Sequence, residues 1–192
     1  AAWQRPAPLP LPLRGAPEGE LELVTEAAAK CLLAAHGVAV PRGKVVASPQ
    51  AAAAAAEEIG FPVVLKAIGE GLAHKTEAGA LRLGLADAAA VTEAAEALLG
   101  LGSALLVEEM VEDAVAEVIV GIHRDPLFGP VLALGSGGIL VELVGDSRLL
   151  LLPATREEIL AALDGLKVAR LISGYRGKPA GDREAVAEAV LA

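Results

Sequence analysis

The segment from Gly69 to Gly79, GEGLAHKTEAG, sets one imidazole, His74, beside one ammonium group, Lys75, in a run with three glycines. Imidazole is nucleophilic near neutral pH and accepts phosphoryl groups. Glycines let backbone N–H groups close on a phosphate, and Lys75 adds positive charge from the same loop. The apolar run before it, PVVLKAI, carries a second lysine, Lys66, among residues that read as a buried strand. An ammonium group is costly to bury alone, so Lys66 either snorkels to an edge or meets an anion. Residue type by itself favours the snorkel. For His74 the alternatives are a phosphoryl acceptor and a solvated loop histidine.

Two further stretches have chemical potential. LLVEEMVED runs from a strand into a linker, where exposed backbone C=O and N–H groups suit the edge of an adenine ring. Glu108 and Glu109 read equally well as guard charges on an edge strand. GSGGILVE joins two apolar runs through Gly135, Gly137 and Gly138, either as a tight turn or as part of a binding loop. No GxxxxGK[ST] is present and no GxGxxG stands between a strand and a helix, which disfavours the common P-loop and dinucleotide readings. His36 precedes a helix-ending glycine and reads as structural, and His123, beside Arg124 and Asp125, reads as turn packing.

The elements that must carry these residues alternate irregularly. Residues 1–22 form a proline-rich linker by composition. Helices are expected after Thr25 up to Gly37, from Pro49 behind Ser48 as N-cap to Gly60, and behind Asp87. A capping box from Thr155 to Glu158 opens another, and VARLIS and DREAVAEAVLA follow as helices around the loop GYRGKPAG. Strands are expected at PVVLKAI, ALRLGLA, SALLVEEMV and AEVIVGIHRD, on both sides of GSGG in PVLALGSGGILVELVGD, and at RLLLLP. With strands grouped in the middle, the pattern predicts α+β layers.

Bulk composition narrows the function classes. A formal charge of −9 leaves no basic stripe for nucleic acid. Although 54% of the 192 residues are hydrophobic, no run approaches the roughly 18 apolar residues of a membrane span. A single cysteine, Cys31, excludes an internal disulfide and a CxxC metal pattern and fits a reducing cytoplasm. The first residue is Ala and the last stand in a helical pattern, so the expectation is a piece of a larger protein.

Six ordered stretches resemble one family: LLAAHGVAVP, EEIGFPVVLKAI, LAHKTEAGAL, LLVEEMV, EVIVGIHRDPLFGPVLALGSGGILVE and SGYRGKPAGD. The resemblance is to the ATP-grasp domain of the NDP-forming (ADP-forming) acyl-CoA synthetases, which are related to the succinyl-CoA synthetase β subunit. It implies an ATP-grasp fold of two α+β subdomains around a nucleotide cleft, incomplete at the C-terminus. The subdomains are expected at 23–106, with a mobile His-Lys loop at 69–80, and at 107–192. The reaction it implies is acyl-CoA, ADP and phosphate giving acid, CoA and ATP, through phosphohistidine.

Carried onto this chain, the resemblance makes His74 the second phosphorylated histidine. It would carry the phosphoryl group between a distant acyl-phosphate site with the first phosphohistidine, on the CoA-binding domains, and the nucleotide. The resemblance makes Lys66 the holder of the nucleotide phosphates, with Lys75 offsetting charge in the loop. It gives Glu108 and Val111 backbone contacts to adenine, Glu117 a contact to ribose, and Gly137, Gly138 and Glu142 a place in a glycine loop near the site. ATP or ADP and Mg²⁺ are the implied cofactors. The acidic metal ligands of the family follow a DINP-like segment, which does not occur here, so they are expected outside this chain. Where the family shows two glycines this chain has Gly79 and Ala80. CoA-binding domains in the same or a partner chain are the implied partners, and oligomerisation stays open. The alternative is a regulatory ligand-binding module of a protein acetyltransferase.

Overall fold

The computed structural model describes residues 23–69, 79–138 and 145–192. The chain divides into two compact units between Glu112 and Asp113. The expected boundary at 106/107 would cut a strand that stays with the first unit.

In the first unit the elements run α1 (Glu26–Ala35), β1 (Gly43–Val46), α2 (Pro49–Ile59), β2 (Val63–Ile68), β3 (Leu81–Leu85), α3 (Ala88–Leu99) and β4 (Ala104–Glu109). The four strands form one antiparallel sheet in the order β1-β4-β2-β3. Helix starts follow the side-chain chemistry: Thr25, Ser48 and Asp87 each accept a hydrogen bond from the backbone N–H three residues on. On α2, Ala52, Ala55 and Ala56 recur at helical spacing, as do Val91, Ala94, Ala95 and Leu98 on α3. These stripes close over Val63, Leu65 and Ala67 of β2 and Leu105 and Val107 of β4. Because strand side chains alternate, Val64, Lys66, Leu106 and Glu108 take the opposite face.

β1 was not expected from the sequence. Its four residues, GKVV, are too few for a periodic signal, and only Val46 is buried. β1 nevertheless pairs with β4 from Gly43 opposite Glu108 to Val46 opposite Leu105. That pairing makes β4 an interior strand, so the edge-strand reading of Glu108 and Glu109 is wrong.

The second unit comprises β5 (Val118–Asp125), β6 (Gly129–Ser136), β7 (Ser147–Leu151), α4 (Arg156–Asp164), α5 (Ala169–Ile172) and α6 (Arg183–Leu191). The strands form an antiparallel sheet in the order β5-β6-β7. Leu132 and Leu134 of β6 pack with Ile159 and Leu163 of α4 and Ala187 of α6. The capping box of Thr155 and Glu158 is formed in both directions. VARLIS yields only the single turn of α5. The turn after β5 is closed by Asp125, whose Oδ1 accepts from Leu127 N at 2.8 Å and Phe128 N at 2.9 Å. His123, expected in turn packing, instead stands exposed on β5. The strand expected after GSGG falls largely at 139–144, outside the described residues.

The turn into β4 fixes its position against β2. Ser103 N donates to Ile68 O at 2.8 Å, and a Cβ on Gly102 would stand 2.5 Å from the same oxygen. Gly102→Ala must push the ends of β2 and β4 apart. The expected loss is about 1–3 kcal/mol in urea unfolding of the full chain, with far-ultraviolet circular dichroism as the probe.

Candidate functional site

Register sets the central pair of charges. Lys66 lies opposite Leu106, and Glu108 lies opposite Val64. The two side chains are therefore diagonal neighbours on the sheet face away from the apolar core. Glu108, 3% exposed, is the one buried charged residue among the described residues. A carboxylate in that position requires compensating charge. It receives two cations: Lys66 Nζ stands 2.6 Å from its Oε2, and Lys30 Nζ on α1 bonds its Oε1.

Glu26 completes the cluster. Lys66 Nζ also bonds Glu26 Oε1, and Lys30 reaches the same oxygen at 2.9 Å across one helical turn. These four side chains alternate two carboxylates with two ammonium groups. Side-chain exposure falls from 28% at Glu26 through 23% at Lys30 and 20% at Lys66 to 3% at Glu108. None of α1's residues is buried, so Glu26 and Lys30 meet the sheet through charge and not through an apolar stripe.

Burial works to lower the Lys66 pKa. Hydrogen bonds that the ammonium group donates to Glu108 and Glu26, with the negative charge of those carboxylates, outweigh it and hold the group above its ordinary value of 10.5. The two readings of Lys66 are thereby separated: it meets anions and does not snorkel into open solvent. Those anions belong to the protein itself, and one comes from a helix whose charges carried no functional reading in sequence.

The other sequence-derived site residues divide by location. Val111, past the end of β4, is exposed. Glu109 turns to Arg42, with Nε at 3.0 Å from Oε2, and its backbone N–H donates to Arg42 O. His74, Lys75 and Glu142 lie outside the described residues. In the second unit, Glu117, Gly137 and Gly138 come together. Gly137 N donates to Glu117 O at 2.7 Å, and a Cβ on Gly137 would stand 2.8 Å from Glu117 Cβ. A Cβ on Gly138 would come as close to Glu117 Oε2. Only glycine permits this approach, so the glycines are required by the contact with Glu117 as well as by turn geometry.

Asp146 carried no functional reading in sequence. Its Oδ2 accepts from the Ser136 hydroxyl and from Lys167 N, the latter at 2.6 Å, and Ser136 N donates to Asp146 O. It therefore joins the end of β6 to the turn after α4. Burial acts to raise its pKa, but the Ser136 hydroxyl, the backbone N–H groups of Lys167 and Val168 and the Lys167 charge hold it below the usual carboxylate value.

A lysine anchored on an inner strand, followed in sequence by a glycine-containing His-Lys segment, suits an anionic ligand. Residues 15–192 match the ATP-grasp domain family. The acetate–CoA ligase [ADP-forming] I β subunit of Pyrococcus furiosus is 30% identical over 177 residues, spanning 88% of this chain and 76% of that protein. The chain is an ATP-grasp domain of the ADP-forming acyl-CoA synthetase family. A trans-feruloyl-CoA synthase from an unknown prokaryotic organism is 37% identical over 178 residues, covering 88% of this domain but only 25% of that protein. Solved structures of a dinucleotide forming acetyl-coenzyme A synthetase 1 from Ca. Korarchaeum cryptofilum share its architecture. The complex with coenzyme A and Ca-AMPCP has a TM-score of 0.80 at 29% identity, covering 86% of this chain and 76% of that one. A second, with coenzyme A and Mg-AMPPCP, has a TM-score of 0.76 at 30% identity over 88% and 75% of the two chains. Its phosphohistidine segment points towards the nucleotide binding site of that protein.

Among the described residues no three His, Cys, Asp or Glu side chains gather into a group able to hold a metal ion. No helix among them is long and apolar enough to cross a membrane.

Two stability outcomes follow from the ion cluster. Glu108→Gln leaves two ammonium groups facing a neutral amide and should cost about 2–4 kcal/mol in denaturant unfolding, less than a fully buried pair because both lysines keep some water. A raised Lys66 pKa also gives a stabilising contribution that is complete below the unfolded value near 10.5 and is lost as pH rises through the higher folded value. Alkaline titration of the thermal midpoint should show this loss above pH 10.5 in the wild type, with a smaller slope in Lys66→Met. Parallel curves would exclude Lys66 as the source.

Proposed function

We propose that this ATP-grasp domain holds the phosphate tail of an adenine nucleotide through Lys66 and carries a phosphoryl group on His74. In the complete protein the domain would serve an ADP-forming acyl-CoA synthetase, converting acyl-CoA, ADP and phosphate to acid, CoA and ATP. The observation that carries this reading is the position of the Lys66 ammonium group, held on an inner strand by a buried carboxylate, three residues before the segment that bears His74. Such a lysine is oriented before ligand arrives, so little of its binding energy is spent on ordering the side chain.

The chemistry assigned to the chain's own residues is short. A neutral His74 ring nitrogen attacks the phosphorus of the first phosphohistidine, on the CoA-binding domains, forming a new N–P bond as the bond from phosphorus to the donor imidazole breaks and that imidazole leaves. The terminal phosphate oxygen of ADP then attacks that phosphorus, and the imidazole leaves. Lys75, next in sequence, offsets charge on the phosphorylated ring, and Lys66 holds the nucleotide. The phosphohistidine segment of the Korarchaeum relative and the AMPPCP bound to that protein support the same division of labour here. Val111 and the backbone of Glu108 are assigned to adenine, and Glu117 to ribose, with Gly137 and Gly138 making room beside it. Glu142 is assigned to the same loop.

The relatives also suggest partners. The Pyrococcus protein is a β subunit, and the Korarchaeum structures contain coenzyme A. We therefore assign CoA binding and the acyl pocket to further domains in the same or a partner chain, working in the cytoplasm.

The complete protein incubated with γ-labelled ATP and Mg²⁺ should take up label that is acid-labile and base-stable, and His74→Ala should abolish both the label and net turnover. Lys66→Ala should weaken ATP binding in a titration by about 1.5–3 kcal/mol, the value of roughly one hydrogen bond to a charged group. Turnover unchanged in His74→Ala would remove the carrier role. Nucleotide binding with no labelled histidine in the wild type would favour a ligand-sensing module instead.

A further inference from the structure

We propose that Glu26 is an exchangeable counter-ion of Lys66: it neutralises the ammonium group until the nucleotide arrives and then yields its place to phosphate oxygens, so that α1 sets the affinity of the site. This inference rests on the assignment of Lys66 to nucleotide phosphates. An ammonium group has three N–H donors, and Lys66 spends two on Glu26 Oε1 and Glu108 Oε2. Glu26 and Glu108 offset the charge of Lys30 and Lys66, which weakens the pull of these two lysines on an approaching polyanion. Binding through Lys66 is strengthened if one carboxylate withdraws.

The geometry distinguishes which carboxylate that is. Glu108 is buried on a strand with neighbours on both sides, and leaving its lysines would strand it away from water. Glu26 is 28% exposed and belongs to the first turn of a helix that contributes no buried residue. It has Lys30 at 2.9 Å as a remaining partner once Lys66 is released. At the start of α1 its charge is also favoured by the helix dipole, with or without Lys66. The exchange therefore costs one partly hydrated ion pair, against charge-assisted hydrogen bonds from a phosphate carrying more negative charge than one carboxylate.

The test is a calorimetric titration of the full chain with MgATP. Glu26→Gln should tighten binding by roughly two- to fivefold, the range of a partly exposed ion pair. Glu26→Asp, which keeps a carboxylate at the helix start but shortens its reach, should give a smaller gain. Glu58→Gln, which removes one negative charge from the exposed pair with Lys44, should leave the dissociation constant unchanged and so controls for net charge. Circular dichroism of each variant reports whether the fold is intact. Equal or weaker binding in both Glu26 variants, while Lys66→Ala loses affinity, would overturn the exchange and leave the nucleotide assignment standing. Tightening by Glu58→Gln to the same extent would likewise overturn it in favour of a general charge effect. Lys66→Ala binding as tightly as wild type, or no binding by wild type and Glu26→Gln alike, would instead remove the nucleotide assignment itself.

Discussion

A carboxylate buried on the outer face of the first sheet cannot exist there without two positive partners, and much of the first unit is arranged to supply them. Glu108 lies on a strand flanked by β1 and β2, so its backbone is inside the sheet and its side chain has only the sheet face to occupy. One cation comes from the adjacent strand through register, and the other from a helix 78 residues earlier in sequence. The pairing of β2 with β4 and the placement of α1 are thus tied to the same charge. Removing either partner leaves a desolvated carboxylate, which costs more than the net value of the intact cluster.

The two faces of that sheet are held by different forces. Beneath it, α2 and α3 pack alanine-rich stripes on valine and leucine, an arrangement that depends on shape and is indifferent to salt. Above it, α1 is joined by ion pairs in which Glu26, Lys30 and Lys66 retain partial access to water and Glu108 does not. The first kind of contact is rigid and non-exchangeable. The second can trade one anion for another of similar geometry, a property suited to a face that receives a charged ligand. A lysine held by a fixed carboxylate stays in position through such a trade, and this separates it from a surface lysine free to sample many rotamers.

The second unit shows the same economy with other groups. Two glycines allow backbone contact with Glu117, and Asp146 ties Ser136 to the turn before α5. Relatives of this domain include a β subunit, of which the chain spans 76%, and a longer protein, of which it spans 25%.

By itself the sequence determined helix starts and the α+β character of the chain, because N-caps and hydrophobic spacing are local signals read over a few residues. The antiparallel pairing of the strands came from the structure. Its ordered motifs determined the family. It did not determine the surroundings of Lys66: an isolated lysine in an apolar strand is equally consistent with an edge and with an anion, and residue type favoured the wrong one. Nor did it disclose β1, whose four residues become a strand only through β4, or the roles of Glu26, Lys30 and Asp146. Those were decided by tertiary structure alone, since a carboxylate's need for a counter-ion is met by whichever cation the fold brings within about 3 Å, however far away in the chain.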